Sequence, residues 1–254
     1  MLPVFICLTA AIPASATSVV CIRTPEAIAV AADSRLASRG DDSQKKVEKD
    51  CKIVQAGDSF FSMTGFVKDP LRPYDAVRIV REALLRNVPP HGPEAALTGA
   101  IETALREELQ RLRAEAPDLY LRFIKGQTGT LLKVLLAGFE GGTPKMVLLG
   151  FRERVSPAGE INIAVERESC PGTCDPRGVN ALVLGDRRPI DSFLRGGKID
   201  FRTPEKAASF MVQLVIDANT PDVGPPVDVL RIDGGGARWI EKKEECPEII
   251  SVEP

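Results

Sequence analysis

Two short runs rich in Val, Ile and Ala, residues 18–22 and 27–32, flank the turn-prone Thr24-Pro25-Glu26 and predict a buried hairpin whose second strand is closed by Asp33. Residues 35–50 are polar and charged. Residues 52–56 and 59–63 then predict a second hairpin around Gly57-Asp58, which ends at Thr64-Gly65. Helical periodicity follows over residues 74–87 and 93–116. In the second helix Leu97, Ile101, Leu105, Leu109 and Leu112 fall three or four apart as one apolar stripe, and Pro117 is expected to stop it. Strand patterns return over residues 131–139, 145–151 and 161–166 as a meander, and a short apolar run at 181–184 leads into Gly185-Asp186. A helix over 189–195 comes next. A longer helix starts at Thr203-Pro204-Glu205 and runs to about Asn219, with Thr203 as its cap and Ala207, Phe210, Met211, Leu214 and Ala218 as its buried face. Strands over 227–232 and 238–240 surround Gly234-Gly235-Gly236, and the tail is made of Glu, Lys and Pro. There is no internal repeat.

Strands, a helix pair, strands, a helix and strands again argue for antiparallel sheets with helices on their outer faces, not for alternating βαβ units. The expected fold class is α+β, as a four-layer αββα sandwich with two antiparallel sheets between helical layers. One domain over residues 17–254 is expected, preceded by a separate segment, residues 1–16.

Composition narrows the functional classes. The chain has 254 residues, 44% of them apolar, and a net charge of −2, enough for one sizeable core. Its basic residues are spread out and balanced by acidic ones, which excludes a nucleic-acid-binding stripe. The only histidine, His91, sits in Pro89-Pro90-His91-Gly92, which reads as a loop. A Ser-His-Asp triad and multi-histidine zinc sites are therefore disfavoured, and no metal or cofactor is expected. Residues 1–16 are uncharged and mostly apolar, ending in Ala14-Ser15-Ala16, the small-x-small form of a signal-peptidase site. Cleavage there exposes Thr17 and sends the protein to the periplasm or exterior. No Lys or Arg precedes the apolar run, so a short propeptide or a first strand of a cytoplasmic protein is the alternative. The segment is too short to span a membrane as a helix, and no membrane partner is expected for the processed form. Cleavage leaves Cys21, Cys51, Cys170, Cys174 and Cys246, an odd number with at least one free thiol. Cys170-Pro-Gly-Thr-Cys174 permits a local disulfide, with Cys246 as a competing partner.

A terminal threonine carries its own base. Its hydroxyl is a poor nucleophile until a neighbour accepts the proton, and an α-amine with a pKa of about 7.7–8.0 is partly neutral near physiological pH and can do so. Thr17-Ser18-Val19-Val20-Cys21, followed by Ala27-Ile28-Ala29-Val30-Ala31-Ala32-Asp33-Ser34-Arg35, resembles the start of a proteasome β subunit, a family of N-terminal nucleophile hydrolases. The likeness is strongest over residues 17–65, and Val223-Gly224-Pro225-Pro226-Val227-Asp228 is similar to bacterial proteasome-like proteins.

The resemblance implies Thr17 as nucleophile, Asp33 as the carboxylate holding an active-site lysine, and Gly65 as the backbone N–H that receives the oxyanion. Lys52, opening Lys-Ile-Val, is favoured for the lysine, with Lys49 the alternative. Such a cation favours the neutral amine beside it. The distal part departs from the family: Asp186 follows Gly185 where a serine is expected, Asp222 stands for the family aspartate, and Val223 replaces a second serine. The expected activity is a threonine-type protease or amidohydrolase acting on peptide or amide bonds. A small-molecule amidase of the same fold and a catalytically silent scaffold are the alternatives. The resemblance also implies homo-oligomers, while Ala16, where the family has glycine, points to signal peptidase and not self-cleavage as the activating step.

Overall fold

The computed structural model describes residues 17–36, 48–49, 51–69, 73–86, 92–126, 130–220 and 223–250. Residues 1–16, His91 and Asp222 lie outside them. The first predicted hairpin forms as β1 (Val19–Arg23) and β2 (Ala27–Asp33), and the polar stretch after it contributes the short pair β3 (Arg35–Leu36) and β4 (Glu48–Lys49). The second hairpin is β5 (Val54–Ala56) and β6 (Ser59–Gly65). Three helices follow, α1 (Ala76–Arg86), α2 (Gly92–Glu115) and α3 (Pro117–Gly126), then the meander β7 (Leu132–Glu140), β8 (Thr143–Val155) and β9 (Ile161–Cys170). The chain closes with β10 (Asn180–Leu184), α4 (Arg188–Leu194), α5 (Pro204–Asp217), β11 (Val227–Asp233) and β12 (Gly236–Glu241).

The strands make two antiparallel five-stranded sheets, ordered β10-β1-β2-β11-β12 and β5-β6-β7-β8-β9, beside the two-stranded β3-β4. With five helices among the described residues, the class is α+β. Every residue of β1 and β2 is buried, because both faces of that sheet are covered. Side chains alternate across a strand, so Val19, Cys21, Ile28, Val30 and Ala32 join Leu135, Ala137 and Phe60 of the second sheet. Val20, Ile22, Ala29 and Ala31 turn the other way, onto Ala207, Ala208, Met211, Val212 and Val215 of α5. The far face of the second sheet, with Phe61, Met63, Val134 and Leu136, meets the predicted leucine stripe of α2 and Val80 and Leu84 of α1. Arg23 is buried where the sheets meet, its guanidinium donating to the carbonyls of Pro144 at 2.8 Å and Pro176 at 3.0 Å. The charged head is thus solvated by backbone carbonyls, with Asp175 supplying an opposite charge nearby.

Three sequence expectations differ from the structure. Pro117 does stop α2, but it also opens α3, since the missing N–H of proline is harmless in a first helical turn. Thr203 precedes Pro204 without any side-chain cap hydrogen bond. The buried face of α5 is rotated from the expected one: Ala207 and Met211 are inside, whereas Phe210 is exposed and stacks edge-on against Phe193 of α4 at 5.2 Å, and Ala218 is exposed. Two disulfides form, Cys51–Cys246 and Cys170–Cys174, leaving Cys21 as a buried free thiol. No helix among the described residues is long and apolar enough to cross a membrane.

Candidate active site

Thr17 leads directly into β1 and is buried. Its neighbour Ser18 pairs with the end of β2 in both directions: the Asp33 N–H donates to the Ser18 carbonyl at 3.0 Å, and the Ser18 N–H donates to Asp33 Oδ1 at 2.8 Å. The alternation that turns β2 residues inward or outward ends at Asp33, so its carboxylate sits at the strand tip with no exposure to water. Four donors compensate that burial. Ser18 N–H and Lys52 Nζ reach Oδ1, both at 2.8 Å, and the backbone N–H groups of Arg35 and Gly224 reach Oδ2, both at 3.2 Å. A carboxylate held by a lysine and three backbone N–H groups is fixed in position.

Lys52 lies between β4 and β5, on residues 51–53 that belong to no strand, and its side chain is only 7% exposed. It is the lysine that pairs with Asp33. The neighbouring Ile53 side chain is buried between the sheets, which turns Lys52 away from that apolar layer.

Gly185 follows β10, which pairs with β1 in a register that puts Leu184 opposite Val19. Its φ of +92° belongs to glycine, and a Cβ there would lie 1.6 Å from the Thr17 carbonyl oxygen. Backbone of β10 is therefore packed directly on Thr17. Gly65 ends β6 with φ +105°, where a Cβ would come within 2.3 Å of the Leu131 carbonyl oxygen. The Phe66 N–H donates to that same oxygen at 2.7 Å.

The distal residues are arranged differently from the family pattern. Asp186 is occupied by Arg188, whose side chain reaches its two carboxylate oxygens at 2.8 and 2.6 Å and lowers its pKa from the ordinary carboxylate value, and whose backbone N–H donates to Oδ1 at 3.0 Å. Val223 is buried in the apolar layer against α5, which explains a valine where a serine is expected. The structure thus brings Asp33 and Lys52 together beside Ser18, the residue after Thr17, and holds Gly65 through contacts with Leu131.

Two contributions were not foreseen from the sequence, the Gly224 N–H on Asp33 and the Gly185 backbone on Thr17. A glycine next to Asp186 on one side and to Val223 on the other was the available signal. Cys21, on β1, is an inert thiol: burial pushes it up to about 12. Among the described residues, Cys51, Asp228 and Cys246 bring ligand-type atoms within 4.8 Å of one another, but the two sulfurs are bonded to each other and leave a single carboxylate, too little for a metal. Comparison with known proteins finds no family model that fits the chain and no curated protein that matches it.

Proposed function

We propose that the chain is an N-terminal threonine hydrolase of the proteasome-like N-terminal nucleophile type, a four-layer αββα sandwich that becomes active once residues 1–16 are removed. The observation that carries this reading is the buried Asp33–Lys52 pair, whose shared Oδ1 also binds the Ser18 N–H at 2.8 Å and so fixes the lysine beside the residue that follows Thr17.

In the reaction, Thr17 Oγ1 bonds to the carbonyl carbon of a peptide or amide while its proton passes to the Thr17 α-amine, directly or through one water. Negative charge that develops on the carbonyl oxygen is received by the Gly65 N–H. Collapse of this intermediate breaks the C–N bond, the departing amine takes the proton, and an ester on Thr17 remains for water to hydrolyse. Lys52 favours the neutral amine and the developing alkoxide, and Asp33 holds Lys52. Asp222 is assigned the supporting carboxylate on the distal side. No cofactor enters the scheme. The two disulfides favour an exported, periplasmic or secreted protein, in line with cleavage after Ala16.

The test is the intact mass of the processed protein before and after an electrophilic peptide probe. Processing should leave Thr17 first, with one adduct per chain, and Thr17→Ala should lose the adduct. A chain that retains residues 1–16 in its native host, or Thr17→Ala labelled as well as wild type, sinks the reading. Comparing peptide with small amide substrates separates a protease from a small-molecule amidase.

A further inference from the structure

Lys52 has no strand to hold it, yet a second layer of buried groups surrounds it. Asp228, on β11 opposite Ala32, is wholly buried and paired with Lys243 Nζ at 2.8 Å, with the Lys243 side chain only 4% exposed. The Lys243 backbone N–H donates to the other oxygen of Asp228 at 3.0 Å. Ser34, the residue after Asp33, donates its hydroxyl to the Pro226 carbonyl at 2.5 Å and lies 3.4 Å from Asp228 Oδ2, so the two ion pairs are neighbours.

From Lys243 the chain turns, the Cys246 N–H donating to the Lys243 carbonyl at 3.2 Å, and Cys246 is bonded to Cys51, the residue before Lys52. Both sulfurs lie within 4.8 Å of an Asp228 oxygen. A second stitch follows: the Gln55 amide group donates to the Ile250 carbonyl at 2.7 Å and accepts from the Ile250 N–H at 2.9 Å. The C-terminal tail is thereby fastened to the segment that carries Lys52 on both sides of that lysine, one residue before it and three after.

We infer that the Cys51–Cys246 disulfide, seated on the Asp228–Lys243 pair, is a positioning clamp for Lys52, so that the Thr17 site is fully reactive only in the oxidised protein. The inference rests on Thr17 being the nucleophile. Reduction by a dithiol transfers two electrons and two protons to the cystine, giving the Cys51 and Cys246 thiols and the cyclic disulfide of the reductant. The free tail then no longer fixes residue 51, and Lys52 can leave the Thr17 amine. Two roles are separable here. A disulfide that only stabilises the fold changes the unfolding midpoint. One that places a cation changes the pH at which the amine becomes neutral. The charged groups tied to residues 17 and 18 are Asp33 on β2, which accepts from the Ser18 N–H, Lys52 and Arg35 on β3, which both donate to Asp33, and Asp186, which follows the Gly185 packed on the Thr17 carbonyl and is bound to Arg188. Of these, only Lys52 is adjacent in sequence to the clamp.

The experiment follows the labelling rate of the processed protein by an electrophilic peptide probe, read by intact mass across a pH series. Cys51→Ser/Cys246→Ser should label roughly ten-fold more slowly near neutral pH, with the midpoint of the pH profile moved upward towards that of Lys52→Met. Wild type reduced by dithiothreitol should behave the same way, and the double variant should not respond to the reductant. Cys170→Ser/Cys174→Ser should retain the wild-type rate and midpoint. Should the double serine variant fail to fold, reduction of the folded wild type, with circular dichroism unchanged, supplies the same comparison, and Gln55→Ala should give a smaller shift in the same direction. A folded clamp variant, or reduced wild type, with wild-type rate and midpoint overturns the inference. Thr17→Ala that labels like wild type overturns the underlying reading instead.

Discussion

Strands β2 and β11 run side by side over seven residue pairs, and their two ends are built in opposite ways. At the Ala27 end, Asp233 meets Arg231 at 2.7 Å and Arg238 at 2.9 Å, with all three side chains partly in water. At the Asp33 end, Asp33 and Asp228 each hold a lysine at 2.8 Å, and none of the four side chains is more than 7% exposed. The first arrangement is cheap, since exposed pairs lose little hydration and contribute little. The second strips water from two carboxylates and two ammonium groups, which apolar side chains of similar volume would often match or exceed in stability. The contrast teaches that one end of the strand pair carries ordinary surface pairing, whereas the other gives up stability to hold two charged pairs still beside Ser18.

Removing the lysine tests this most severely. Lys52→Met leaves Asp33 buried with backbone donors alone and should cost about 3–5 kcal/mol in chemical denaturation, together with slower Thr17 labelling near neutral pH and an upward-shifted pH midpoint. Adding Asp33→Asn should recover much of that stability and none of the labelling. A cost below about 1 kcal/mol for the single variant would mean that the buried end behaves like the exposed one.

Glycines sharpen the comparison at intermediate size. Gly57→Ala at φ +60° has nothing within 4 Å and should lose about 1–2 kcal/mol from backbone strain alone. Gly185→Ala adds the clash with Thr17 and should lose a further 1–3 kcal/mol, roughly, and displace Thr17. Equal losses at the two sites, measured by thermal melting, would remove the special status of the Thr17 contact.

The smallest effect belongs to the exposed end. The Arg231 side chain, the Gly235 N–H and Arg238 hold Asp233 at about 2, below its ordinary 3.8. Because the folded value is depressed, its stabilisation is present above about 3.8 and disappears as pH falls towards 2. Asp233→Asn should therefore cost less than about 1 kcal/mol at neutral pH and flatten that part of the acid limb, measured by denaturation from pH 5 down to 2.

Much of the strand framework was legible because the apolar residues of β1, β2, β6 and β7 cluster in short runs between glycine- or proline-containing turns. The leucines of α2 were equally plain. Helix α3 was missed because Pro117 was read only as a stop, although the same residue type favours a helix start. The expected face of α5 failed at Phe210, whose partner Phe193 sits on another helix. In the candidate site, the Asp33–Lys52 pairing could be named because both residues lie within a short stretch of chain. Gly224 could not be tied to Asp33, since that hydrogen bond spans 191 residues and exists only once β11 pairs with β2. Lys243 was hidden in a Glu-Lys-Lys-Glu-Glu run that reads as a solvated tail; only its burial beside Asp228 reveals it.

The 191-residue span between Asp33 and the Gly224 N–H has a consequence for timing. During synthesis the ribosome releases Thr17 and Asp33 long before β11 exists, and a chain interrupted anywhere ahead of residue 224 lacks a donor that fixes the carboxylate. A partial product therefore carries the Asp33–Lys52 pair with its carboxylate one backbone donor short, and the buried charge is fully compensated only when synthesis is nearly complete.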